Sequence, residues 1–356
     1  LGTMGKNTNL LHPREGSYFL LGELFLSLDL PPNFYDLHLT TVRDGLDAIG
    51  SSVAGTPWIV LGQNRWVTWG ETTTGFDVTD TYQEQVVPDP SSPSGLSTLY
   101  RGALEPVIPV PLSFRVNVVG DAIPDNLAPV PPGGAVPPVA LIVPRRNNGP
   151  IVDLDQATGR AISVQYTGFG GTRELETFRL LNRARNITEF EAALQYFDVG
   201  SQNFIYGDIR GNIGYFTTGE VPLREDLQAN TVTGAPPWFI RNGQGGNEWL
   251  VNAAPGPTDG SGYLAIPAAE LPKVVNPSAG FVVNANNDPA GVTLDNNPVN
   301  QLRPGNNGIY YLGYSFDFGT RAGRITQALR GKLARGRVDQ GDMRQVQADV
   351  VLFDAS

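Results

Sequence analysis

Residues Phe281 to Gly291 read FVVNANNDPAG, three β-favouring side chains running straight into Asn284, Ala285, Asn286, Asn287, Asp288 and Pro289. Turn chemistry is one account, because Asn, Asp, Pro and Gly each end a strand for their own reasons. Catalysis is another: a rigid strand end can aim a side-chain amide at a developing negative charge. Asn284, Asn286 and Asn287 all compete for that donor role. A second polar cluster closes the stretch Leu61 to Asp80, LGQNRWVTWGETTTGFDVTD, where Asp77 and Asp80 suit a solvated turn.

Scarcity narrows the chemistry further. The 356 residues contain no Cys, which removes thiol nucleophiles, disulfides and Cys-ligated metal centres. His12 and His38 are the only histidines, so a multi-His metal site is nearly excluded and a Ser-His-Asp triad would have to use one of them. No G-x-S-x-G elbow, Walker A loop or complete G-x-G-x-x-G is present; Gly168, Gly170 and Gly171 give only a fragment of the last. An enzyme of this composition does its acid-base work without histidine. A net charge of -10 repels phosphate backbones and anionic lipid heads, which argues against a nucleic-acid partner. No apolar run reaches the roughly 18 residues of a membrane span, and no signal peptide is read at the start.

The elements that must hold these groups are mostly strands. FYDLHLTTV, from Phe34, alternates Tyr35, Leu37 and Leu39 on one face against His38 on the other, where His38 reads as structural. TPWIVLG (Thr56 to Gly62) and WVTWG (Trp66 to Gly70) read as further strands, with Trp66 and Trp69 in the core. The Pro-rich segments LEPVIPVPLSFRVNVV and VALIVP suit edge strands, and FIYGDIRGNIGYF suits a hairpin turning at Arg210, Gly211 and Asn212. Helices are expected near Glu174 to Arg185, from Thr188 to Phe197 with a Thr188/Glu191 capping box, from Arg321 to Leu333, and from Asp339 with Met343, Val346 and Val350 inward. That mixture is α+β, and no repeat or clean boundary divides residues 1-356, which reads as a single domain.

Several motifs, in order, carry a resemblance. LGQNRWVTWGETTTGFDVTD, QNFIYGDIRGNIGYFTTGEVPLR, NPSAGFVVNANNDPAGVTLDNNP, FGTRAGRI and MRQVQADVV together resemble the penicillin acylase family of N-terminal nucleophile hydrolases, from Leu26 onward. The resemblance implies a four-layer αββα sandwich. It also implies that this chain is most of a β subunit, truncated at its C-terminus and separated from an α subunit made from the same precursor. The implied activity is cleavage of a linear amide in a small N-acyl substrate such as a penicillin or an acyl-homoserine lactone, in a periplasmic or exported setting.

The implied mechanism uses a freed N-terminal hydroxyl residue whose own α-amine is the base, which suits a histidine-poor chain. Matching W-G-x-T places the backbone oxyanion donor on Thr73, and matching N-x-N-[ND]-x-P places the side-chain donor on Asn286. Arg321, in GTRAGRI, matches an arginine that organises the site, though a surface ion pair is its plainer role. Leu61 matches a position lining the acyl pocket. A structural Ca2+ is implied at Asp77, Asp80 and the Thr79 carbonyl, with Pro237 supplying another carbonyl, Asp295 a further carboxylate and a glutamate of the α chain completing the site.

The N-terminus departs from the family pattern S-N-x-W and from its later N-P-H or G-P-Q element. An ungapped match on Leu20, Leu21 and Gly22 puts Thr3 at the nucleophile and Phe25 at the His or Gln; a shifted match puts Lys6 there instead. A compensated frameshift across residues 1-25 is a third account. Two rival functions accompany the acylase: a catalytically inactive relative kept for binding, and a secreted, calcium-stabilised β-rich structural protein.

Overall fold

The computed structural model describes residues 8–10, 34–43, 45–124, 126–130, 138–253 and 262–351. In chain order the strands are β1 (Thr8–Leu10), β2 (Phe34–Thr40), β3 (Asp47–Val53), β4 (Leu61–Asn64), β5 (Val67–Thr73), β6 (Thr79–Pro88), β7 (Leu96–Tyr100), β8 (Ala103–Pro106), β9 (Ile108–Pro111), β10 (Arg115–Asn117), β11 (Leu127–Pro129), β12 (Val139–Val143), β13 (Gly149–Asp155), β14 (Arg160–Tyr166), β15 (Gln202–Asp208), β16 (Ile213–Thr218), β17 (Ile240–Asn242), β18 (Lys273–Val275) and β19 (Val282–Asn284). The helices are α1 (Glu174–Leu181), α2 (Ile187–Leu194), the single turn α3 (Glu225–Gln228), α4 (Thr320–Leu333) and α5 (Gln340–Gln347).

A seven-stranded sheet, in the order β18-β16-β15-β5-β4-β3-β2, carries the site. Its period-2 alternation decides which side chains go where. Trp69, Phe204, Tyr206 and Phe216 point to one face and pack under α1 and α2 with Phe178, Leu181 and Phe190. Ile205, Ile213 and Tyr215 point to the other face and meet Val282 of β19. Strand β19 pairs antiparallel with β1, and its flanks, Phe281 and Ala285, pack against Ile325 and Leu329 of α4 and Met343 and Val346 of α5. The layers therefore run helix, sheet, two-stranded ribbon, helix, which is the αββα order the resemblance implied.

A second sheet of eight strands, running β8-β7-β6-β14-β13-β12-β9 with β17 beside β6, extends from the Asp77 to Asp80 corner. Its two ends, β8 and β9, carry Pro106, Pro109 and Pro111, as edge strands tolerate. The VALIVP strand, β12, instead lies between β9 and β13. The β15–β16 hairpin turns at Ile209 to Asn212, bracketed by Asp208, which accepts from the backbone N–H groups of Arg210 and Asn212.

Several local expectations are corrected. Helix α2 starts two residues early because Asn186 accepts from the Glu189 N–H at 2.9 Å, and Asn is a stronger cap than the β-branched Thr188. Thr56 to Val60 stays outside the ladder, because the amide of Asn182 donates to the Ile59 carbonyl and accepts its N–H. Trp66 is exposed, not core: Asn64 accepts from the N–H groups of Trp66 and Val67 and turns the indole outward at the hairpin tip. Tyr35 is likewise exposed while Leu37 and Leu39 are half-buried. Helix α5 ends at Gln347, so Val350 lies beyond it and is exposed, although Asp339 caps as expected. His38 is exposed and bonded to Asp47, a structural contact.

Candidate active site

The three asparagines after β19 divide the work. Asn284 is buried and accepts from Thr72 Oγ1 at 2.6 Å, tying the ribbon to β5. Asn287 turns back and accepts from the Ala285 N–H. Asn286 alone of the three takes the left-handed conformation, φ 62°, which Asn tolerates better than most residues. Its Nδ2 donates at 2.8 Å to the carbonyl of Thr73, a residue 213 positions away at the end of β5. That same carbonyl also accepts from Asn203 Nδ2 at 3.1 Å, so the backbone at the β5 terminus is held from two sides.

Arg321 fixes the direction of the Asn286 amide. Its Nη2 donates to Asn286 Oδ1 at 3.1 Å and to the Ala285 carbonyl at 2.8 Å. A guanidinium has only donors, so the amide oxygen must face it and the NH2 must face Thr73. Asp317, whose carboxylate accepts from Arg321 and whose backbone N–H donates to the Asn286 carbonyl, completes the clamp. The ion-pair and site-organising readings of Arg321 thus describe one cluster.

Thr73 and Asn286 share the wall of a cavity of about 460 Å³ with Phe34, Leu61, Glu71, Thr72, Thr74, Gly75, Gln202, Ser315, Phe316 and Asp317. Leu61 is where the sequence placed it. Glu71 was not anticipated: burial pushes its carboxyl up to about 8, and its Oε2 has no partner among the described residues. The signal was in the alternation, since Glu71 shares its strand face with Val67 and Trp69, a face that otherwise goes inward.

The aspartates before and in β6 sit elsewhere, around a second unanticipated residue, Arg224. The carboxylate of Asp80 is fully buried and accepts from Arg224 Nε and Nη2, from Tyr82 Oη and from Trp249 Nε1. Burial opposes its ionisation, but the Arg224 charge and hydrogen bonds outweigh that and hold the carboxyl below its usual range. Asp77 accepts from Tyr311 Oη and is pushed up, chiefly by burial, against the pull of Arg224. Arg224 also donates to the Asp77 and Pro222 carbonyls. The solvated-turn reading of Asp77 and Asp80 is thereby corrected.

A family model described as penicillin amidase matches residues 12–356. The chain belongs to the penicillin amidase family. Among curated relatives it is 25% identical over 285 residues to penicillin acylase 2 proenzyme of Pseudomonas sp. (strain SE83), covering 80% of this chain and 31% of that protein. It is 27% identical over 248 residues to penicillin G acylase of Escherichia coli, covering 69% of this chain and 24% of that one. A solved structure, a thermostable penicillin G acylase from Alcaligenes faecalis, superimposes with a TM-score of 0.64 at 22% identity, over 92% of this chain and 49% of that chain. The chain therefore spans about a quarter to a third of the length of these curated penicillin amidase relatives.

Of the residues expected for a penicillin amidase site, Thr73, Asn286 and Arg321 converge. Thr3, Lys6 and Phe25 lie outside the described residues; Thr8, which opens β1, pairs with Asn284, two positions before Asn286. Two of the expected calcium ligands, Asp80 and Asp295, are engaged by other donors as arranged. Asp80 has a carboxylate's four lone-pair sites filled by donors, the largest of them itself a cation. Asp295 is exposed, with its oxygens accepting from the Asn297 N–H and Asn300 Nδ2. Pro237 is buried and precedes Trp238, which packs on Tyr311. Among the described residues no group of three or more His, Asp or Glu side chains is gathered to hold a metal. No described helix is long and apolar enough to cross a membrane.

Proposed function

We propose that this chain is the nucleophile-bearing part of an N-acyl amide hydrolase, acting on small linear amides of the penicillin or acyl-homoserine-lactone kind. The observation that carries the reading is the hydrogen bond from Asn286 to the end of β5, locked by Arg321 on the wall of a cavity large enough for an acyl group.

In that reading an N-terminal hydroxyl, Thr3 once the precursor is cut after Gly2, attacks the amide carbonyl and passes its proton to its own α-amine. The carbonyl oxygen becomes an oxyanion that accepts from Asn286 Nδ2 and the Thr73 N–H. Collapse expels the amine, which takes the proton, and water then releases the acid from the ester. An α-amine titrates near 7.7 to 8.0, so it accepts a proton at neutral pH without an imidazole. Each oxyanion donor of this kind contributes roughly 2.7 to 4 kcal/mol to the transition state. An α subunit from the same precursor and a periplasmic or exported location accompany the proposal.

The test is turnover by protein made from the complete gene, assayed on phenylacetyl and long-chain acyl amides, together with the intact mass and N-terminal sequence of the chain. Turnover abolished by substituting the mature first residue supports the reading. A folded protein with no turnover on any acyl amide overturns it in favour of a relative that kept the scaffold for binding.

A further inference from the structure

The cavity beside Asn286 holds more unsatisfied polarity than an acyl pocket for plain hydrocarbon tails requires. Glu71 Oε2, Thr74 Oγ1 and Gln202 Oε1 are buried and have no hydrogen-bond partner among the described residues, and all three residues line this one space. A buried polar atom without a partner costs about 1–3 kcal/mol, so three in one cavity point to a ligand that supplies the missing hydrogen-bond partners.

Their placement follows from the ladder. Thr73 lies opposite Gln202 and Glu71 lies opposite Phe204, so Glu71 and Gln202 share a face as diagonal neighbours. Such neighbours sit roughly 7–8 Å apart at the backbone, a gap that long side chains close around a small group. Phe34 and Leu61 supply apolar walls beside them. No Lys, Arg or His is among the described lining residues, and the other lining carboxylate, Asp317, is already paired with Arg321.

We propose that Glu71, Gln202 and Thr74 form a cation-accepting end to the acyl pocket, selecting acyl groups that carry an ammonium over plain alkyl and carboxylate-tailed ones. The inference rests on the hydrolase reading for its link to turnover, but not for the binding it describes. Glu71 and Gln202 both present acceptor oxygens, and an ammonium brings three donors with no acceptor of its own. A carboxylate tail would meet at most neutral donors here and no compensating cation, and it would gain no counter-charge by displacing the Glu71 proton. In the empty cavity burial holds the Glu71 carboxyl up to about 8, so ammonium binding near neutral pH expels its proton into solution.

The experiment compares 6-aminohexanoate, hexanoate and glutarate by titration calorimetry against protein from the complete gene, in buffers of different ionisation enthalpy. It pairs this with hydrolysis of the matching p-nitroanilides. The wild-type protein should bind 6-aminohexanoate at least tenfold tighter than hexanoate, bind glutarate weakest, and release close to one proton near pH 7. E71L should abolish the ammonium preference, and the isosteric E71Q should lower it while retaining the fold. Equal or tighter binding of hexanoate, or an ammonium preference unchanged in E71Q and E71L, overturns the proposal. If the preference appears in binding but no anilide is cleaved, the hydrolase reading fails and the cation site stands. If the hexanoyl anilide is cleaved best, the site fails and the hydrolase stands.

Discussion

Arg321 donates to the side-chain oxygen of Asn286 from 35 residues further along the chain, and this one contact decides which end of the amide faces Thr73. Without a donor on that side, the amide could rotate and present its oxygen to the position where an oxyanion forms. A donor is worth having only if it cannot turn around.

Substituting Asn286 should therefore be costly to turnover and cheap to the fold. Asn286→Ala is expected to lower kcat by about 10² to 10³, with KM changed far less, because the interaction strengthens only as charge develops. Asn286→Asp should be worse, since it presents a carboxylate to an oxyanion. Steady-state kinetics on any cleaved acyl amide, with thermal melting as the control, checks both.

Arg321 acts through Asn286, so its loss should resemble a weakened copy of the asparagine variant. Arg321→Lys keeps the charge but cannot reach the Ala285 carbonyl, Asn286 and Asp317 together, because an ammonium is a single point and a guanidinium is a fork. The expected signature is a fall in kcat with little change in KM in both Arg321→Lys and Arg321→Ala. A mainly structural arginine would instead lower the melting temperature and leave kcat alone.

Glu71 gives a pH dependence with a definite sign. Its carboxyl ionises at about 8 in the folded chain against a normal value of 4.5, so between those values the folded state holds a proton that the unfolded state has lost. Stability from this group is therefore present below pH 4.5 and is lost progressively as pH rises towards 8. Glu71→Gln has no proton to lose. Its melting temperature should gain on the wild type from about pH 5 to pH 8, by an amount equivalent to a few kcal/mol. A constant difference across that range would show that Glu71 is ionised and satisfied in the fold.

What the sequence disclosed and what it concealed follow from physical range. The β15–β16 hairpin and the inward faces of α2 and α4 are local patterns, legible from spacing, and the ordered motifs carried Thr73, Asn286 and Arg321. The failures are places where a distant side chain outbid a local preference. Ile59 belongs to a β-favouring run, yet Asn182, 123 residues away, takes both its backbone groups. Arg224 reads as an ordinary cation in VPLR until the fold brings Asp80 to it across 144 residues. Glu71 was visible in the alternation of β5, but an acid on an inward strand face has meaning only once the cavity beside it is known.

The Asp80–Arg224 pair sets the last expectation. Neither side chain has any solvent exposure, and the carboxylate spends every lone pair on donors already in place. Asp80→Asn removes the carboxylate that pairs most closely with the buried guanidinium and leaves it only Asp77, 3.6 Å away; breaking such a pair costs about 3–5 kcal/mol. Replacing both partners, as Asp80→Leu with Arg224→Met, should cost less than Asp80→Asn alone, because the desolvation of both charges disappears together. The positive charge at this corner belongs to the chain itself, so treatment with a chelator should leave the melting curve of the wild-type protein unchanged. A drop in melting temperature on chelation, restored by Ca2+, would mean that Arg224 yields Asp80 to a metal ion and that the pair described here is broken in the working protein.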